Sequence, residues 1–320
     1  VFQKGLFGLL VLGCVAFGIN AKDEPTWQVT PKFKINYEAL REVSGISRSK
    51  RFDDVFWVHN DSGDEARVFA INRQGDVIHP EFLPYHGQQP RPGRSPWPGH
   101  AIELAAHYDW EDIASDADWL YIADTGNNGN ARRDLGIYKV PQFNPRVIEK
   151  TRATGYIPVA YPDQQFFPAE NWHYDSEALF VDAGQLYLIT KHRIAGQIGA
   201  FEPGGTLYRL TDAASSQPNK LEQVDSLSSL FMVTGAELSP NGASLAVLGA
   251  RNLWLFPRPS SGDAWLSGPH QSLDLTPYSM GQVEAITWLD DQTLWIVNEA
   301  GSVFDVSRVG AVGQRQALLP

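Results

Sequence analysis

The sequence predicts an all-β fold, a single β-propeller of five four-stranded blades, on three observations. First, His107 to Ile113, HYDWEDI, is nearly rewritten at His173 to Leu179, HYDSEAL, 66 residues later. Second, short apolar runs separated by Gly, Asn and Asp recur along the chain in sets of three or four, as strands of a radial repeat do. Third, no long stretch has the 3.6-residue periodicity of a helix. The chain of 320 residues is 43% hydrophobic and 12% aromatic, enough to bury a sizeable core in one repeat domain.

The N-terminus, VFQKGLFGLLVLGCVAFGINA, has one lysine, an apolar run from Gly5 to Ile19 and small residues at its end. This is the pattern of a secretory signal peptide cleaved after Ala21, with residues 22–320 as the propeller domain. The run is short of the roughly 20 residues a membrane span needs, so an exported protein, periplasmic or extracellular and without a transmembrane segment, is expected. Cys14, the sole cysteine, follows Val11-Leu12-Gly13; lipoprotein anchoring through it is the weaker alternative. A mature chain without thiols excludes disulfides and thiolate metal sites. Loss of Lys4 takes the formal net charge from -11 to -12, a poor balance for nucleic acid. A monomer is expected.

In chain order, Trp27 to Tyr37 alternates like a strand but has no nearby hairpin partner. Blade 1 reads VSGISRS, VFWVHND, RVFAINRQG and DVIHPEF. Blade 2 reads WEDIAS, WLYIADTG, LGIYKVP and TRATGYIPVAY. Blade 3 reads SEALFVD, QLYLITK, TLYRLTD and KLEQVDSL, and blade 4 VTGAELS, SLAVLGA, NLWLFPR and HQSLDL. Blade 5 supplies VEAITW, TLWIVNE and SVFDVSR. It lacks a fourth strand, so Trp27 to Tyr37 is expected to close the ring, leaving no long free edge; a six-bladed ring is the alternative. Insertions at 86–100, 127–136, 163–175 and 191–205 are expected to form a lopsided lid over one face.

Aligned first strands place Ser44, Glu111, Glu177, Gly235 and Glu284 at one position, beside the central channel. Carboxylates brought together resist ionisation unless a proton or cation relieves them, and a hard ion such as calcium suits their oxygens. The second-strand ends add Asn60, Asp124 and Asn298 as oxygen ligands, with Thr190 at the same place in blade 3. The competing reading is structural: acids and amides at strand ends cap turns. Arg132, Arg133 and Lys191 in the insertions are candidates for holding an anionic group, and His107 and His173 for proton transfer. No GxSxG, HExxH, GxxxxGK[ST] or GxGxxG motif is present.

The pairs VSGIS with WVHNDSG, DWEDIA with LYIADTGNN, and SEALFVD with LYLITK resemble bacterial exported propellers related to the esterase-like activity of phytase family, across essentially the whole mature chain. The chain is also similar to calcium-containing propellers such as gluconolactonase-like hydrolases and β-propeller phytases. That resemblance implies calcium on Glu111, Glu177, Glu284, Asn60, Asp124 and Asn298, polarising an ester, lactone or phosphoester. Ser44 and Gly235 depart from a continuous glutamate ring, and five repeats depart from the six blades of those enzymes. Two functions are therefore expected side by side: a metal-assisted hydrolase of a small anionic molecule, or a non-catalytic propeller recognising a glycan, peptide or envelope partner.

Overall fold

A computed structural model describes residues 26–212 and 217–309; the leader and Cys14 lie outside the described residues. Five sheets radiate about a channel. Blade 1 contains Val43–Arg48, Phe56–Asn60 and Arg67–Ile71, blade 2 Trp110–Ser115, Trp119–Asp124, Gly136–Pro141 and Gly155–Ala160, and blade 3 Trp172–Asp182, Gln185–Arg193, Gly205–Arg209 and Glu222–Leu227. Blade 4 is Val233–Leu238, Ser244–Gly249, Asn252–Pro257 and Gln271–Asp274. Blade 5 is Val283–Asp290, Thr293–Asn298 and Ser302–Val309, with Thr26–Lys34 as its outer strand.

The closure is antiparallel, from Thr26 opposite Val309 to Lys34 opposite Ser302, and Lys32 Nζ meets Asp305 Oδ2 at 2.7 Å across it. The ring therefore closes with its first strand joining its last blade, as the missing fourth strand of blade 5 required.

Alternation along the strands explains why so many read as continuous apolar runs. Both faces of each blade are covered by neighbours, so successive side chains enter different interblade cores. In Phe56–Asn60, Phe56 and Val58 pack towards blade 5 with Trp295 and Val297, whereas Trp57 packs towards blade 2 with Trp110 and Ile122. Leu294 and Ile296 turn the other way, towards Leu248 and Leu253 of blade 4.

Within the channel, buried acids staple neighbouring blades. Asp112 Oδ2 accepts from Leu179 N of blade 3 at 2.8 Å, and Glu237 Oε2 from Trp288 N of blade 5 at 2.6 Å. Each carboxylate thus finds main-chain donors that a strand turned edge-on to the channel leaves free.

Two expectations are corrected. The segment TRATGYIPVAY is not one strand: Lys150–Arg152 pairs in parallel with His100–Glu103 beside blade 1, and Gly155–Ala160 alone completes blade 2. The 86–100 insertion does not join a lid over the channel. Its Trp97 is fully buried against Tyr85 and His100, and the segment packs on the flank of blade 1 because that indole needs a core.

Candidate functional site

Each first strand carries a β-bulge at its entrance, where two residues face one on the second strand. The partner registers jump from Val43 to Gly45, Trp110 to Asp112, Ser176 to Ala178, Val233 to Gly235 and Val283 to Ala285. The residues skipped are Ser44, Glu111, Glu177, Thr234 and Glu284. A bulge re-aims its extra side chain, and all five line one cavity of about 320 Å3 at the channel mouth. The blade 4 member of the ring is Thr234, one residue before the expected Gly235. The cue in the sequence was the match of Val43-Ser44-Gly45 with Val233-Thr234-Gly235.

The cavity also receives Asp61, Asn128, Lys191 and Arg193. Carboxylate oxygens of Asp61, Asp109 and Glu111 lie within 4.8 Å of one another, as do those of Glu111, Asp175 and Glu177. Asp109 and Asp175 are the aspartates of the two HYD repeats, so the duplicated motif marks the site through its acid.

The two groups differ electrostatically. Asp175 and Glu177 already have cations: Arg193 Nε donates to Asp175 Oδ2 at 2.8 Å, and Lys191 Nζ is in direct contact with Glu177 Oε1. Among the described residues, Asp61, Asp109 and Glu111 form no ion pair, and the carboxylates of Asp109 and Glu111 accept no hydrogen bond. Glu111 is only 6% exposed.

Burial, and next Glu177, push the Glu111 carboxyl well above the usual carboxylate range. Burial and Asp61 raise Asp109 to about 6. Burial raises Glu284 to about 7, its one hydrogen bond coming from Gln282 Nε2 at 2.8 Å. Glu177 is also raised by burial, against the pull of Lys191.

Gly126 leaves the space that Asp109 and Glu111 occupy: a Cβ there would overlap Glu111 Oε1 and the Asp109 carboxylate. The donor set is all oxygen, close together and short of positive charge, with Glu111 buried and Asp61 and Asp109 half-buried. It fits a hard divalent cation.

The remaining expected residues are placed elsewhere. Asn60, Asp124 and Asn298 lie opposite the bulges, as aligned, but cap loops of their own blades and are absent from the cavity lining. Asn60 Nδ2 donates to Ala39 O at 2.7 Å and Asn298 Nδ2 to Met280 O at 2.7 Å. Asp124 Oδ1 accepts from Arg132 Nη2 at 2.9 Å, and its Oδ2 is buried without a partner.

Arg132 is held by that contact and by Gly126 O, while Arg133 lies exposed over the Phe167 ring at 4.5 Å. Neither reaches the cavity; Lys191 does. His107 packs at a tilt on Trp110, with Nε2 3.1 Å from Asn60 O. His173 stacks on His192 at 3.8 Å and contacts Glu202 Oε1 at 2.5 Å. The aspartate of each HYD turn belongs to one of the two acidic groups, and the histidine of each lies against a neighbouring ring.

No protein-family model matches the sequence, and no curated protein matches it. Solved structures similar to the chain include the PQQ-bound aldose sugar dehydrogenase of Streptomyces coelicolor, at 12% identity and TM-score 0.46 over 88% of this chain and 98% of that one. A luciferin-regenerating enzyme matches at 11% identity and TM-score 0.45 over 89% and 80%. A putative oxidoreductase (glucose dehydrogenase) of Thermus thermophilus matches at 9% identity and TM-score 0.46 over 88% and 100%. Likeness at this level says nothing about activity, and the five-bladed assignment rests on the strand pairings above.

Proposed function

We propose that the channel mouth binds a calcium-like cation at Asp61, Asp109 and Glu111 and that the protein is an exported metal-assisted hydrolase. The carrying observation is Glu111, a buried carboxylate without ion pair or hydrogen bond among the described residues, beside Asp61 and Asp109, which also form no ion pair there. A bound cation would polarise a carbonyl or phosphoryl oxygen.

The chain's own groups have distinct tasks in this reading. Asp61, Asp109 and Glu111 hold the ion. Glu284, from blade 5 of the same ring and with its carboxyl raised to about 7, accepts the proton of an attacking water. Lys191 and Arg193 neutralise Glu177 and Asp175, so the ion is drawn to the Glu111 side. The resemblance of the VSGIS, DWEDIA and SEALFVD segments to exported propellers of the phytase-esterase group supports an ester-type bond as the target, and the pattern of residues 1–21 supports export.

A panel of carboxylic esters, lactones and phosphoesters assayed with calcium tests this. Turnover lost on chelation and in Glu284→Gln, in protein that still binds calcium, is the expected result. A panel silent with calcium bound would remove the hydrolase.

A second reading is favoured by Phe166, Ile194 and Ile198, large apolar side chains exposed on the insertions at 163–175 and 191–205. They suit a face that captures an envelope partner or peptide, with the ion holding the channel. In that case Glu284→Gln would leave partner capture unchanged.

A further inference from the structure

We infer that Asn128 is a site of self-modification: its side-chain amide closes on the main-chain nitrogen of Gly129, loses ammonia and is hydrolysed to aspartate or isoaspartate at the channel mouth. Neither a bound cation nor hydrolase activity is needed for this step.

The chain holds two Asn-Gly pairs, Asn128-Gly129 and Asn241-Gly242. Asparagine is among the thermolabile residues, and a following glycine has no Cβ to obstruct the approach of its nitrogen to the amide carbon. The two pairs differ in the state of the groups that must react. At Asn241 they are tied down. Gly242 N donates to Ser239 O at 2.8 Å, so its attack would break a main-chain hydrogen bond. Asn241 Oδ1 accepts from Ala243 N at 2.8 Å and from Ser239 Oγ at 2.9 Å, both uncharged donors.

At Asn128 they are free. Among the described residues Gly129 N donates to no acceptor, and Asn128 Nδ2, the nitrogen that leaves, has no partner. A Cβ at Gly129 would meet nothing within 4 Å, so the turn is open on that side. The flanks are held instead: Asn127 Oδ1 accepts from Ala131 N and Arg132 N, each at 2.9 Å, and Asn130 N donates to Asn127 O at 2.6 Å. Asn128 Oδ1 alone is engaged, and by a cation, Nη2 of the buried Arg193. A guanidinium on that oxygen makes Cγ more electrophilic and stabilises the negative charge that develops there during attack, as the donors of an oxyanion hole do.

In the reaction Gly129 N bonds to Asn128 Cγ, the Cγ–Nδ2 bond breaks, and the nitrogen leaves as ammonia with the proton from Gly129 N. Water then opens the succinimide, giving aspartate at the side-chain carbonyl or isoaspartate at the main-chain carbonyl. Asn128 lines the same cavity as Asp61, Glu111, Glu177 and Glu284, so the product adds a carboxylate to that lining beside Arg193.

The test is to age the folded protein in mildly alkaline buffer and follow the Asn128 and Asn241 peptides by mass spectrometry. Asn128 is expected to convert at least about tenfold faster than Asn241, the factor that one hydrogen bond to be broken implies. In the chain unfolded by denaturant the two are expected to convert at similar rates. Arg193→Lys, which keeps a positive charge for Asp175 and loses the contact with Asn128, is expected to slow conversion at Asn128 by at least about tenfold. The wild-type comparison decides by itself if that variant fails to fold. An Asn128 amide that lasts as long as Asn241 in the folded wild type would overturn the proposal, and so would conversion at the wild-type rate in folded Arg193→Lys.

Discussion

Glu284 is the residue whose titration is most open to measurement. Its carboxyl holds a proton up to about 7 in the folded protein, whereas in the unfolded chain it ionises in the ordinary glutamate range. Between those two values the folded state binds more protons, so metal-free stability falls as pH rises through the window and is level above it. Asp109, raised to about 6, and Glu111 act in the same direction. Metal-free thermal melts from pH 5 to pH 8 are expected to show this decline, and Glu284→Gln to flatten part of it. A wild-type protein whose metal-free Tm climbs over that range would show that the acids are not crowded as described.

At the scale of elements, the bulge is what makes a site from ordinary strand entrances. It adds one residue where the strand meets the channel, and that residue's chemistry differs from blade to blade while the backbone repeats. Gly126, just beyond the second strand of blade 2, is the matching feature on the opposite side of the acids. Gly126→Ala is expected to push Glu111 and Asp109 apart and weaken calcium binding at least about tenfold, the equivalent of roughly 1.4 kcal/mol, with the strand content by circular dichroism unchanged. Unaltered calcium affinity in this variant would place the ion elsewhere.

The same elements show what could be read from residues alone. Glutamates at 111, 177 and 284 were legible because the strands around them repeat. Thr234 is hidden in the sequence because a bulge adds a residue without a fixed sequence mark, so Gly235 fits the alignment equally well. Asn60, Asp124 and Asn298 were legible in register but not in direction. An amide opposite a bulge serves its own loop as readily as the channel, and only the hydrogen bonds to Ala39 and Met280 decide between them.

For the molecule as a whole, the ring is a closed sum of five interblade cores, each built from alternate residues of neighbouring blades. The closing strand contributes Val29, and Ile35 lies just after its end; they are 8% and 2% exposed and lie in two of these cores. Deleting residues 22–36 removes about 1.5–3 kcal/mol per buried aliphatic side chain, together with the paired outer edge of blade 5. That variant is expected to melt well below the intact mature protein or to fail to fold. Equal melting would show that closure at this seam is dispensable.

Closure of the ring holds the bulge residues Glu111, Glu177 and Glu284 round one cavity, and the central claim is that the proposed cation sits there on Glu111 together with Asp61 and Asp109. Thermal melts of the mature protein with chelator and with calcium, alongside Glu111→Gln, test it most directly. Binding to the folded state alone stabilises by about 2.7 kcal/mol at a hundredfold excess over Kd, so calcium should raise the Tm of the wild type and leave Glu111→Gln unmoved. Wild-type melts that coincide with chelator and with calcium, or a Glu111→Gln variant that responds as fully as the wild type, would contradict the account.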